Sequence, residues 1–282
     1  MQKKMTNGRM LLSVLLAVLV LVIAQVFASI FASLSLITGI PETAANILAA
    51  FLYVLFAFIG LKFLADHYMG LSLQEIRICP IRFTRLWIAV SIFMPMIVCI
   101  LLLLTSGSWS VNMMDRQTKA AIITAALFFM GLATGIVEES VFRGMIMAVI
   151  EARWNRKVAI VIPSVLFALL HLMNGKIGLL SAIQLIIAGS IVGILFSLVT
   201  YDTGSIWCSA LIHAVWNMVM IGGILHIGSE VDEYAIVNFQ LKNRSFILSG
   251  GEFGIEASIV SIAVYGLFSV LAWYRCRKKK IL

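Results

Sequence analysis

Three stretches of this 282-residue chain place side chains that move protons, donate strong hydrogen bonds or ligate metals inside otherwise apolar runs. Glu138, Glu139 and Arg143 occur in GIVEESVFRG, His171 in FALLHLMNG, and His213 with Asn217 in LIHAVWNMV. An ionisable side chain at the middle of a membrane helix costs at least about 2.5–3.5 kcal/mol on insertion scales, so such residues are functional candidates by default. Helical spacing sorts them. Glu139 and Arg143 are four apart, on one face and able to pair, whereas Glu138 is rotated by about 100° and cannot share that geometry. The pair reads as structural and leaves the Glu138 carboxylate free for chemistry. Phe167 and His171 share a face, which sets an aromatic ring beside one imidazole. His213 and Asn217 also share a face and present two hydrogen-bonding groups together.

The elements that must position these groups are membrane helices. The chain is 62% hydrophobic and only 12% charged, with a mean hydropathy of +1.06, where a soluble domain is about a quarter charged. Hydrocarbon leaves backbone N–H and C=O groups unsatisfied, so spanning elements are helices or closed barrels, and these apolar runs are too long for barrel strands. Eight runs stand out, near 10–34, 45–65, 86–105, 119–149, 157–173, 181–200, 205–226 and 254–274. The first is too long for a signal-peptide core of roughly 7–15 residues and reads as a span. No internal repeat or low-complexity linker interrupts the chain. The expectation is one all-α domain over 1–282, a polytopic transmembrane helical bundle of about eight helices. At 1.5 Å per residue from the assumed span ends, Glu138 lies roughly 16 Å deep, His171 about 21 Å, His213 about 12 Å and Asn217 about 18 Å. Three differently directed helices thus bring four polar residues into one layer.

The net charge of +8 sits at the chain ends and in short connections, which excludes a nucleic-acid surface. With a cytoplasmic N-terminus, Lys3, Lys4, Arg9, Arg77, Arg82, Arg85, Arg153, Arg156, Lys157, Arg275, Arg277 and Lys278 to Lys280 all fall on the cytoplasmic side. The other side carries Glu42, Arg116, Lys119, Lys176 and an acidic-leaning loop with Glu230, Asp232, Glu233 and Glu252. Both termini are therefore expected in the cytoplasm, with the segment Leu71 to Arg85 at the interface. The depths place the site nearer the Arg-rich connections, so its opening, and entry of the substrate, are expected from the cytoplasm. Cys79, Cys99, Cys208 and Cys276 are scattered and form no CxxC pair, which predicts neither disulfides nor a zinc knuckle. Gly131 with Gly135, and Gly189 with Gly193, read as close-packing positions between helices, and neither His67 nor His226 is assigned a role.

Glu138 to Arg143 fits EExxxR, Phe167 to His171 fits FxxxH, and His213 to Asn217 fits HxxxN, in that order. Together they resemble the CAAX-protease and bacteriocin-processing family, also called the Abi family, whose members are glutamate-dependent intramembrane endopeptidases. The likeness covers about residues 119–226, the core of that family. It implies a bundle of about eight helices enclosing a conical cavity open toward the cytoplasm, in which Glu138 activates water, His171 positions or deprotonates it, His213 and Asn217 stabilise the oxyanion, and Glu139, Arg143 and Phe167 support the site. It implies no metal and no cofactor. An imidazole and a carboxamide on consecutive turns suit donation to a tetrahedral intermediate. Ser140 lies about 200° round the helix from Glu138, which argues against a serine mechanism.

Three other readings use the same residues. Two Glu and two His could form a zinc peptidase, although HExxH is absent and pairing with Arg143 withdraws Glu139. An immunity or membrane-binding protein could retain the scaffold without turnover. A transporter with a midplane proton relay is disfavoured by the absence of inverted repeats. The favoured substrate is a membrane-associated peptide matured at a bacterial cell membrane, with CAAX-type processing as the alternative. Oligomeric state has no signature in this sequence.

Overall fold

A computed structural model describes residues 5–175 and 177–281, with Lys3, Lys4 and Lys176 outside that range. A helix stands at each of the eight apolar runs: α1 (Asn7–Ile37), α2 (Glu42–Met69), α3 (Arg85–Leu103), α4 (Arg116–Arg153), α5 (Arg156–His171), α6 (Leu179–Thr203), α7 (Trp207–Met220) and α8 (Ile259–Lys278). Among the described residues six of these are long and apolar enough to cross a membrane. The exceptions are α5 and α7, which correct the expected span lengths. With 16 and 14 residues they reach only about 24 and 21 Å, against about 30 Å of hydrocarbon. The seventh apolar run continues to 226, but α7 stops at Met220 and the chain turns through Gly223, whose φ of +72° is easy only for glycine. His226, three residues on from Gly223, lies in a strand rather than on the helix.

The connections that join helix ends on the side away from the termini build a small sheet absent from the sequence reading. Its strands are β1 (Gly107–Val111), β2 (Leu225–Gly228) and β3 (Val237–Leu241), in the order β1-β3-β2. β3 pairs antiparallel with β1 and parallel with β2, and Trp109 packs on Phe239 with ring centroids 4.9 Å apart. Strands this short carry too few alternations to register as a pattern.

Both termini lie at the opposite end of the bundle. Arg153 donates to Asn7 Oδ1 at 2.5 Å, and Arg156 donates to the Ile281 carbonyl at 2.7 Å. Asp202, buried at the end of α6, gathers Trp87 Nε1 at 2.8 Å, Arg275 Nε at 2.9 Å and Lys279 Nζ at 2.7 Å, which ties α3, α6 and α8 together. The segment between α2 and α3 crosses this end. Ile76 is fully buried there, Arg77 pairs with Glu151, and Trp207 Nε1 donates to the Cys79 carbonyl at 2.6 Å.

Small residues let the helices approach. A Cβ on Gly189 would stand 2.8 Å from Ala168 Cβ, and one on Gly193 would stand 2.7 Å from Ser164 Cβ, where α6 meets α5. A Cβ on Gly135 would lie 2.8 Å from the Ala214 nitrogen and 2.9 Å from the Ala210 carbonyl oxygen, both backbone atoms of α7. Such contacts carry much of helix association in lipid, where no hydrophobic gain separates one apolar face from another. Gly135→Ala should therefore push α4 from α7 and cost about 1–3 kcal/mol, read as a lower melting temperature in detergent. Gly266→Ala, with open space around its Cβ position, should leave the melt unchanged or raise it slightly.

Candidate active site

The motif residues of α4, α5 and α7 meet at a cavity of about 410 Å³, which Glu138, His171, His213 and Asn217 all line. Two stretches of α4 near the site, Ala125–Ala133 and Ser140–Ile146, are π-helical, and Glu138 and Glu139 lie on the α-helical turn between them. In the first stretch the Thr134 N–H bonds the Phe129 carbonyl, five residues back, and the Met130 carbonyl accepts from Asn217 Nδ2 at 2.9 Å. Wider turns of this kind recur at functional sites, because they redirect side chains and backbone carbonyls from the regular ladder.

Beneath the cavity sits the Glu139–Arg143 pair that the four-residue spacing led one to expect. Both side chains have no exposure, and Arg143 Nη1 donates to Glu139 Oε1 at 2.8 Å. Arg143 Nη2 donates to the Gly193 carbonyl at 3.1 Å, and the guanidinium carbon lies 4.8 Å from the Phe167 ring centroid and 5.1 Å from that of Phe196. The rings supply cation–π attraction in place of water. Removing one partner of such a pair strands a charge in a medium that cannot solvate it.

Glu139 has a second task that spacing along one helix cannot reveal. The oxygen that accepts from Arg143 also lies 3.1 Å from His213 Nδ1. A carboxylate can only accept, so Nδ1 carries a hydrogen and Nε2 is the nitrogen left to the cavity. Nε2 lies 3.7 Å from Glu138 Oε2, too far for a direct hydrogen bond and close enough to share a ligand. His171 is fixed by the same logic. Its Nδ1 lies 2.8 Å from the Phe167 carbonyl, an obligate acceptor, so its Nε2 is likewise the nitrogen left to the cavity. Phe167 holds both rings, with centroids 4.5 Å from His171 and 5.8 Å from His213, and Phe196 stacks on His213 at 5.0 Å.

Glu138 itself makes no hydrogen bond through Oε2. Ser140 is fully buried and its hydroxyl donates to the Ile136 carbonyl at 2.7 Å, away from this constellation. Among the described residues no three His, Cys, Asp or Glu side chains come together as a metal cage, and the four cysteines are free thiols.

Several lining residues escaped the sequence reading. Glu256, in the turn before α8, faces the cavity and accepts from Trp216 Nε1 at 2.8 Å. Phe253 from the same segment sets its ring 6.4 Å from that of His171. Gln25 reaches the cavity from α1. Two of these carried a signal: Glu256 is a carboxylate at the edge of an apolar run, and Gln25 is a lone amide within one.

The comparison with known families indicates an intramembrane protease. More particularly, residues 119–219 match the family described as type II CAAX prenyl endopeptidase Rce1-like, a segment that contains every motif residue named above. The likeness read from EExxxR, FxxxH and HxxxN is thereby shown, and the segment is that of a CAAX-type endopeptidase, a hydrolase in a multi-pass membrane protein. No match was found among curated proteins or solved structures.

The double duty of Glu139 can be separated. Glu139→Leu should cost about 3–5 kcal/mol through the stranded Arg143. Glu139→Leu/Arg143→Met removes both charges and should recover most of the melting temperature. Its proteolysis should stay at least tenfold below wild type, about 1.4 kcal/mol of transition-state stabilisation, because His213 has lost its orienting partner. Recovery of both properties would show that the contact with His213 is idle.

Proposed function

We propose that the protein is a metal-independent endopeptidase of a bacterial cell membrane, with both termini cytoplasmic, that cuts a membrane-associated peptide by means of water activated by Glu138. The observation that carries this reading is the Glu138 carboxylate oxygen without a protein partner, set in the wall of a cavity that two imidazoles also line, their Nδ1 atoms already committed.

The chemistry follows from those hydrogen bonds. Water in the cavity gives one proton to Glu138 as its oxygen attacks the peptide carbonyl, and His171 Nε2 accepts the other hydrogen and aims the lone pair. The carbonyl oxygen becomes an oxyanion. Asn217 has one amide hydrogen on the Met130 carbonyl and a second for the oxyanion. His213 can help only when Nε2 also carries a proton, and Glu139 on Nδ1 then balances the imidazolium charge. Glu138 finally passes its proton to the departing amine, which restores the carboxylate. Each role is one the family resemblance suggested; the Glu139–His213 contact adds the condition on His213.

The lining favours cleavage of peptides over CAAX-type processing. Glu138 and Glu256 bring two carboxylates, and no Lys or Arg is among the described residues that line the cavity. A CAAX substrate brings its own free carboxylate within three residues of the scissile bond, and that group would meet no Lys or Arg among the described residues of the lining. An internal bond in a leader or signalling peptide meets no such repulsion.

The test is turnover of fluorogenic peptides, farnesylated CAAX and unprenylated leader types side by side, by purified protein in proteoliposomes. Glu138→Gln should lower proteolysis by at least ~100-fold, the usual scale of a lost general base, while helicity and melting temperature hold. Full activity in that variant would remove the glutamate mechanism, and no turnover by wild type on any peptide would favour the binding or immunity role. Activity should also survive prolonged chelation. Loss on chelation with rescue by zinc alone would establish a metallopeptidase.

A further inference from the structure

The interior of the bundle is asymmetric. Towards the end that carries the termini, α4 below the site is packed solid: Val141, Met145, Ile146, Met147 and Val149 have no exposure, and Leu195, Val199, Ile206 and Ile212 match them from α6, the α6–α7 turn and α7. That end is then closed by the segment between α2 and α3, through buried Ile76 and Ile78, the Arg77–Glu151 pair, and the Ile206 N–H bond to the Arg77 carbonyl at 3.2 Å. Ile76 lies so close to α4 that a Cβ on Gly144 would stand 3.0 Å from its carbonyl oxygen. A shallow groove at this end, along Arg153 to Ile162, shares no lining residue with the catalytic cavity.

Towards the other end the interior is hollow. His171 is the last residue of α5, Ile221 directly follows α7, and Phe253 and Glu256 belong to the connection that leads from β3 to α8, yet all four line the cavity. A second cavity of about 140 Å³ shares Ile221, Phe253 and Glu256 with it and continues to His226 and Asp232, beside the sheet. Hydrolysis needs water and an extended peptide at Glu138, and among the described residues the lining reaches the surface at this end through Ile221, with Gln25 of α1 and Met130 of α4 exposed towards the lipid part-way along.

We infer that the catalytic cavity opens at the sheet end of the bundle, opposite the termini, and that the substrate is a membrane-anchored peptide whose scissile bond lies in or just beyond the exoplasmic leaflet. The exoplasmic assignment follows from the arginines and lysines of the closed end, among them Arg77, Arg82, Arg85, Arg153, Arg156, Lys157 and Arg275, which the positive-inside rule holds in the cytoplasm. This reverses the entry side expected from depth along the helices, which counts residues but takes no account of packing. The substrate class rests on the peptidase reading; the side of access does not.

The test is labelling of the full chain with a membrane-impermeant maleimide, after replacement of Cys79, Cys99, Cys208 and Cys276 by Ala. Single cysteines go to the cavity mouth, as Ile221→Cys and Phe253→Cys, and to the basic end, as Lys157→Cys. The first two should react at least tenfold faster in intact spheroplasts than in inside-out vesicles, and the third should show the opposite preference. Reaction of the mouth cysteines from the same face as Lys157→Cys, or from neither face, would overturn the sheet-end opening. Reaction of Lys157→Cys from outside would overturn the exoplasmic assignment. Labelling is independent of turnover, so an inactive protein with the expected pattern would refute the peptidase reading and leave the access path standing.

Discussion

Everything at the centre of this bundle depends on one buried ion pair. Arg143 and Glu139 have no contact with solvent, and an isolated guanidinium at that depth would be prohibitively costly, so the surrounding helices are arranged around its needs. α6 comes close enough, through Gly193, to offer a backbone carbonyl. α5 and α6 contribute the Phe167 and Phe196 rings on which the cation lies. Because Glu139 is held by Arg143, its oxygen is a fixed point from which His213 takes its tautomer and direction. The pair is thus structural in its energetics and functional in its consequence.

Around that point the polar groups divide their valences in a consistent way. His171 and His213 each commit Nδ1 to an obligate acceptor and leave Nε2 at the cavity. Asn217 is oriented by the carbonyl of Met130 in the first π-helical stretch of α4. Oε2 of Glu138, Oε2 of Glu139 and Nε of Arg143 all lack a protein partner, and of these three residues only Glu138 lines the cavity.

The asymmetry of packing has a similar logic. The basic end is knitted by ion pairs and by Asp202, which joins three helices, and it is filled by large apolar side chains. The sheet end is spanned by short strands and turns, which cover a volume without filling it. A bundle closed at one end and loosely roofed at the other is the arrangement that the proposed entry of water and peptide requires. The short α5 and α7 contribute directly, because His171 and Ile221 stand at helix ends and leave room beyond them.

Much of this was determined by the sequence alone. Length and apolarity of the runs required a helical membrane bundle, because nothing else satisfies a backbone in hydrocarbon. Four-residue spacing identified the Glu139–Arg143 pair and the His213–Asn217 face, since one helix fixes the geometry between its own turns. What runs between elements was decided only by the tertiary structure. That Glu139 serves His213, that Glu256 and Gln25 reach the same cavity, and that three distant strands form a sheet depend on contacts between residues far apart in the chain, which local periodicity does not encode. The length of α7 belongs with these, because hydropathy continues past the point where Gly223 lets the backbone turn away. Which end of the bundle is hollow is likewise a property of packing: solid and empty interiors are written in the same apolar residues, and only their interlocking tells them apart.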